Sequence, residues 1–356
     1  MSEYTKVTGD SVRFGLIGAG GIAAKYRDVF HRHPRSRLVV AFDSKPEVAA
    51  EAVATCGGKV ASSVDALLAE DIDAVVISSP NFLHAEQAEK TLRAGKHVLL
   101  QKPMTLTVEE ARRITAVGHE TSRCLAMYMQ SIEHPLFHDL KDMAAAGVFG
   151  RVGGFNAKLA NGRGQSWVGT KNFWRGSKAA TGGGSFAMLA YHYINLGQWL
   201  LDAPITSVVA KSANLMNPHI EGDDIMAAVV AFGSRGLGVI ESAWAVQGEQ
   251  MSLHGDKGSF AYVDQQVVSL VGCKAHSGRV IDYQTPGERM TVVDIRPPEM
   301  NDLDNPLNQC TRFIEAILSG APPDMPAAAG VQDMLALEAS YRAAETGRNV
   351  DLGAAV

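Results

Sequence analysis

Cysteine is scarce and scattered in this chain of 356 residues. Cys56, Cys124, Cys273 and Cys310 form no CxxC pair and no framework, which suits a reducing cytosol and argues against a structural zinc. No segment approaches the ~18 uninterrupted apolar residues of a membrane span. Met1 to Arg13 is polar and lacks the apolar run of a secretory signal. The expectation is therefore a cytoplasmic protein without a membrane partner. Lys and Arg number 33 against 38 Asp and Glu, a net charge of −5. That balance offers no basic footprint, and a nucleic-acid partner is not expected. Charge blocks, repeats and low-complexity tracts are missing, so tail- and linker-based functions have no support. HExxH and GxSxG are absent as well. His119, Glu120, His134 and His138 lack a further ligand at metal-binding spacing, and no metal is expected.

Glycine is what the chain has in excess, with 35 residues, above the ~7% of an average protein. The length suits two domains, each with its own core. Up to residue 130, short apolar runs alternate with amphipathic stretches. Arg13–Gly18, Arg37–Asp43, Asp73–Ser78, His97–Leu100 and Cys124–Met129 read as strands. Gly21–His33, Lys45–Cys56 and Leu83–Ala94 read as helices, and Thr107 with Glu110 is a capping box opening another. This alternation predicts an α/β domain with a parallel sheet over residues 1–130. Residues 131–356 change in grammar. Longer alternating strands joined by turns predict a second α/β domain with a large, mostly antiparallel sheet. Helices are expected at Pro135–Ala146, Ser185–Leu201, Pro306–Leu318 and Ala327–Ala344.

The clearest chemical signal is Gly18-Ala19-Gly20-Gly21-Ile22-Ala23, directly after the first strand. In a GxGxxA turn the first glycine makes the bend and the second lets backbone approach a pyrophosphate. The small last residue packs helix on sheet, and the helix start holds the anion. Asp43 ends the second strand, where an acid meets the adenosine ribose hydroxyls. The expected cofactor is NAD. Lys45, two residues on, is placed to meet a 2′-phosphate and keeps NADP open.

Two further stretches are distinctive: Ser79-Pro80-Asn81-Phe82-Leu83-His84, and Ala94-Gly95-Lys96-His97 running on to Gln101-Lys102-Pro103. With GxGxxA ahead, and Gly182-Gly183-Gly184 plus His192 behind, the chain resembles the Gfo/Idh/MocA oxidoreductases along nearly its whole length. The resemblance implies a Rossmann domain followed by an open-sheet domain that often serves as an oligomer face. A homo-oligomer, dimer or tetramer, through that sheet is expected. It also implies a cofactor at the strand ends, against Gly18, Gly20, Gly21, Ile22, Ala23, Asp43, Lys45, Ser79, Pro80, Asn81, His84, Gln101 and Lys102.

Within that resemblance, Lys102 and His192 are the expected catalytic pair. A lysine at a strand end can hold a hydroxyl or take its proton, and a cis Lys102–Pro103 bond is implied. The family's Glu-Lys-Pro is Gln101-Lys102-Pro103 here, which removes a charge beside the lysine. The family's acid four residues before the histidine is Met188, and a later acid is Asn195. Met188 is therefore expected to shape an apolar wall rather than orient His192. Trp174 and Arg175 suit a polyhydroxylated ligand, the ring packing on C–H faces and the fork binding oxygens. Lys158, on one strand face with Asn156, and His134 complete the expected substrate contacts, with Asn161 and Arg163 nearby.

The expected activity is oxidation of a sugar or polyol hydroxyl, with a leaning to an aldose oxidised at C1 to a lactone. Small branched or five-carbon sugars such as apiose fit a pocket that has lost acidic groups. Two rivals stand beside it: a glycosidase using NAD with no net redox, and an idle nucleotide-binding sensor, which Met188 keeps open.

Overall fold

Runs that are apolar on both faces become a parallel sheet in the first part of the chain. Its strands are β1 (Val12–Ile17), β2 (Ser36–Phe42), β3 (Lys59–Val60), β4 (Ala74–Ile77), β5 (His97–Gln101) and β6 (Leu125–Tyr128). They are ordered β3-β2-β1-β4-β5-β6, and every pairing is parallel. The crossovers are α1 (Ala24–Arg32), α2 (Pro46–Cys56), α3 (Val64–Leu68), α4 (His84–Arg93) and α5 (Val108–Glu120). Strand order reverses between β1 and β4, the position where such sheets bind ligands.

The computed structural model describes residues 4–162, 173–245, 247–264, 266–271, 293–294, 305 and 307–353. Unit 1 is Met1–Glu133 with Pro298–Met334, and unit 2 is His134–Pro297 with Leu335–Val356. The expected division is at residue 130, with 131–356 as one domain. Unit 2 contains α6 (Pro135–Ala145), β7 (Val152–Ala160), the short helix α7 (Lys178–Thr181) and α8 (Tyr191–Leu201). Strands β8 (Ser207–Ala213), β9 (Ile225–Phe232), β10 (Gly236–Ala243), β11 (Gly248–Gly255), β12 (Ser259–Val263), β13 (Gln266–Val271) and β14 (Val293–Asp294) follow. The chain then forms α9 (Gln309–Ser319), α10 (Ala327–Thr346) and β15 (Val350–Asp351).

Helix α9 explains the return to unit 1. Cys310, Phe313, Ile314, Ile317 and Leu318 recur at helical spacing, and this stripe joins Phe14, Leu16, Val76 and Leu99 in one core. The Phe14 and Phe313 rings lie 6.4 Å apart, and the Val7 N–H donates to the Ile317 carbonyl at 2.8 Å. An amphipathic stripe shows that a helix packs, but not on which core.

The nine described strands of unit 2 run β14-β13-β12-β11-β7-β10-β9-β8-β15. All pairs are antiparallel except β7 with β10. The side-chain period of two gives each strand two faces. On the covered face, Phe155 and Phe232 pack at Gly197 of α8, where an added Cβ would meet them at 2.9 Å and 2.8 Å. On the other face, Val209, Val229 and Val239 stand in register across β8, β9 and β10, and all three are exposed. Among the described residues no helix is long and apolar enough to cross a membrane.

If α9 completes the unit 1 core, Ile314→Ala should lower the free energy of unfolding by ~2–5 kcal/mol, because Ile314 is fully buried. Urea unfolding of native and variant protein measures this. A loss below ~0.5 kcal/mol, typical of a surface site, would show that unit 1 is complete without α9.

Candidate active site

The site residues of unit 1 gather at the carboxyl ends of β1, β2, β4 and β5. Gly18 has φ +82, and a Cβ there would lie 2.6 Å from the Ser79 nitrogen. Only glycine allows β1 and β4 to turn this closely. A Cβ on Gly20 or Gly21 would meet nothing within 4 Å. Ala23 is fully buried, and no side chain caps α1. Open glycines before an uncapped helix start fit the pyrophosphate of a dinucleotide. Asp43 reaches across from β2: its Oδ2 accepts the Ala19 N–H at 2.9 Å and its Oδ1 accepts the Lys45 N–H at 3.0 Å. The carboxylate thus ties the glycine turn to the end of β2. Ile22 packs against the unit 1 core.

Beyond β4, Ser79 donates its hydroxyl to Gln87 Oε1 at 2.6 Å, and Asn81 is buried in the turn after Pro80. His84 is fully buried. Its Nδ1 lies 2.8 Å from the Pro103 carbonyl oxygen and its Nε2 2.9 Å from that of Ser79. This ring staples the turn after β4 to the turn after β5, so the expected cofactor contact by the His84 side chain is corrected. Gln101 is likewise turned inward. Its Oε1 accepts the Lys102 N–H at 2.8 Å and its Nε2 donates to the Tyr26 hydroxyl. The Lys102–Pro103 bond is cis, and Lys102 itself is partly exposed just past the end of β5.

In unit 2, Met188 lies in a π-helical turn, Phe186–Ala190, that leads into α8. One turn on, His192 is half-buried on α8, and Asn195 is buried. Met188 packs with Leu189, Ile220 and Trp244, against which Leu159 and Trp174 also pack. Met188 is therefore part of a buried apolar cluster that includes two indoles. The Trp244 indole N–H is buried without an acceptor among the described residues. Its carbonyl is held by Asn217 Nδ2 at 3.0 Å. Arg175 stacks over Trp174 with 4.4 Å to the ring centroid, and burial lowers its pKa.

The three glycines are explained by the protein's own packing. Gly182 has φ +79 and ends α7. A Cβ on Gly183 would lie 2.0 Å from the Tyr341 hydroxyl, and one on Gly184 would lie 2.0 Å from the Asp223 carbonyl oxygen. The close approach that demands glycine is to the protein's own residues.

Lys158 is also corrected. It lies on the open face of the sheet with Val239, opposite the face that carries Leu159, and pairs with Glu241 at 2.8 Å. It does not join Met188 and His192. Asn161 continues β7, its N–H donating to the Ala243 carbonyl at 3.0 Å; Arg163 lies outside the described residues.

Glu133 and His134 follow β6 and are both buried. Glu133 Oε2 accepts the Tyr128 hydroxyl at 3.0 Å and its Oε1 accepts the Gln309 N–H at 2.8 Å. Burial still pushes its carboxyl up to about 7. His134 Nδ1 accepts the Leu136 N–H at 3.1 Å and caps α6. Burial lowers the ring to about 4. A neutral ring accepting at Nδ1 carries its proton on Nε2, which has no acceptor among the described residues. His134 is thus a fixed, buried donor. Sequence reasoning missed Glu133, Asp223, Trp244 and Tyr341. The acid pair Asp223-Asp224 ahead of β9 was the one visible signal.

The Glu133 shift has a testable sign. Between the unfolded value of 4.5 and the folded value near 7, folded protein retains a proton that the unfolded chain has lost. Its contribution to stability therefore falls as pH rises through that window. Glu133→Gln removes the fall. In urea unfolding, the variant should gain ~2 kcal/mol on the native protein between pH 5 and pH 7. An offset constant between the two pH values would show that Glu133 titrates normally.

Comparison with known proteins follows the same division. Residues 12–129 match the oxidoreductase family with an NAD-binding Rossmann fold, and residues 137–261 match the GFO/IDH/MocA C-terminal domain. The inositol 2-dehydrogenase of Rhizobium meliloti (strain 1021) is 31% identical over 267 residues, 73% of this chain and 78% of that protein. The crystal structure of the WlbA dehydrogenase from Bordetella pertussis, in complex with NADH and UDP-GlcNAcA, superposes with a TM-score of 0.80. It is 26% identical, over 96% of this chain and 98% of that one. Levoglucosan dehydrogenase in complex with NADH shares the fold at a TM-score of 0.83, with 21% identity over 97% of this chain and 100% of that one. From the glycine turn of unit 1 to the sheet of unit 2, the chain is a member of the Gfo/Idh/MocA oxidoreductase family, with NAD as its cofactor.

Proposed function

We propose that this protein is an NAD-dependent dehydrogenase of a free sugar or polyol, with an aldose oxidised at C1 as the favoured case. The observation that carries the reading is the clamped glycine turn at an uncapped helix start, on the same sheet edge as Lys102. When bound, NAD supplies the acceptor for a hydride from the hydroxyl-bearing carbon. Gly20, Gly21 and the start of α1 hold its pyrophosphate, and Asp43 meets the ribose. Ser79, Pro80 and Asn81 line the turn beside it.

Lys102 holds the substrate hydroxyl oxygen, and His192 accepts its proton. His134 donates Nε2–H to another oxygen. Trp174 and Arg175 bind the ring and its oxygens, and Met188 packs against apolar C–H groups. A wall of Met188, Trp174 and Trp244 favours an uncharged ligand face. The similarity to an inositol dehydrogenase supports a polyhydroxylated substrate. The free thiols Cys56, Cys124 and Cys310 suit the cytoplasm. The exposed row Val209, Val229 and Val239 supports self-association through the open sheet face.

The experiment is a screen of D-xylose, apiose, D-glucose and myo-inositol with NAD, following absorbance of the reduced cofactor. At least one should be oxidised. Lys102→Ala and His192→Ala should each lower kcat by ~10²-fold or more, with Kd for NADH within about 3-fold of native, a change below ~0.7 kcal/mol. Met188→Ala should change KM more than kcat. No reduced cofactor with any of these sugars, or full activity in both alanine variants, would overturn the reading. For the association, Val229→Lys should convert the native oligomer to monomer in sedimentation velocity. A native monomer would remove that part.

A further inference from the structure

The segment carrying Met188 and His192 starts in an unusual way. A helix leaves its first N–H groups without partners of its own, and no side chain at the usual capping position serves this one. Two remote residues serve it instead. The Ser185 N–H donates to the Asp223 carbonyl oxygen at 2.8 Å. The Phe186 N–H donates to Asp223 Oδ2 at 2.9 Å. The Gly184 and Ala187 N–H groups both donate to the Tyr341 hydroxyl oxygen at 3.0 Å. The first bond made by the segment itself, Met188 N–H to the Gly184 carbonyl, follows at 3.2 Å.

The two anchors are also bonded to each other. The Tyr341 hydroxyl donates to Asp223 Oδ1 at 2.8 Å, and the Ser185 hydroxyl donates to Oδ2 at 2.8 Å. The phenol oxygen thus accepts twice and donates once, while the carboxylate only accepts. Desolvation by burial, with Asp223 beside it, raises the Tyr341 pKa well above its ordinary value. It therefore remains a donor at neutral pH. The Tyr341 ring meets Phe186 edge-on at 6.3 Å. Gly183 and Gly184 exist in their present form to let these anchors approach.

We propose that Asp223 and Tyr341 are positioning residues for His192, holding the main chain from Gly184 to Met188 so that the histidine is fixed one turn later. This rests on the dehydrogenase reading for its effect on turnover and on the hydrogen bonds alone for the anchoring. Neither residue needs to touch substrate. Loss of either anchor leaves buried donors unpaired, and the local structure loosens.

The test is Tyr341→Phe, which keeps the ring and removes the hydroxyl, with Asp223→Asn as a second variant. An amide cannot accept at both oxygen positions. Hydrogen exchange at amides 184–192 should quicken by ~10-fold or more in each variant, while β9 and β10 stay protected. With the best substrate of the screen, deuterated at the oxidised carbon, kcat should fall by ~10-fold. The primary isotope effect on kcat should rise as the chemical step becomes slower. Partial unfolding would lower active protein without moving the isotope effect. NADH affinity should be unchanged. Unaltered exchange at 184–192, or exchange raised evenly through unit 2, overturns the anchoring. Local loosening with native kcat and isotope effect overturns the positioning role. If native protein oxidises no sugar, the dehydrogenase reading falls by that result, and the exchange pattern alone decides the anchoring.

Discussion

Main-chain N–H groups around the starts of helices are the constraint on which both halves of this molecule depend. Each helix begins with donors that its own carbonyls cannot reach. In unit 1 the start of α1 has no side-chain cap and is preceded by two glycines that nothing crowds. In unit 2 the segment ahead of α8 has its first donors taken by Asp223 and Tyr341. The first arrangement leaves partial positive charge for an anionic ligand. The second spends the same groups on rigidity. The same backbone groups thus stand beside open glycines in one unit and are held by remote side chains in the other.

The parallel sheet was legible because buried strands read as unbroken apolar runs. Five of its six strands and four of its helices lie within a few residues of where periodicity puts them. Strand β3 and helix α3 were not legible: Lys59 and Val60 are both exposed, and two residues carry no pattern. Helix α9 was visible as a helix, but its stripe carries no address. Strand β11 is hard to read, since Gly248–Gly255 mixes polar and apolar residues without strict alternation.

The site was legible in its residue types more than in its geometry. Gly18, Gly20 and Asp43 stand where spacing and strand context put them. Lys158 shows the limit of strand reasoning. A period of two says that Asn156 and Lys158 share a face, and nothing in it says which face helices cover. His84 and Gln101 occupy the expected turns yet point inward, because buried polar groups take the nearest partners. The glycine triplet signalled close approach without naming the neighbour. That neighbour, Tyr341, stands 118 residues beyond its partner Asp223, and no local pattern links them.

We propose that the Asp43 carboxylate, tied to the Ala19 and Lys45 N–H groups, holds the glycine turn for a dinucleotide and repels a 2′-phosphate. The most direct measurement is a fluorescence titration of native protein with NADH and with NADPH at one ionic strength. NADH is expected to bind at least ~10-fold more tightly, as ~1.4 kcal/mol of repulsion would give. Equal or tighter binding of NADPH would show that Lys45 governs the ribose end and would contradict the account.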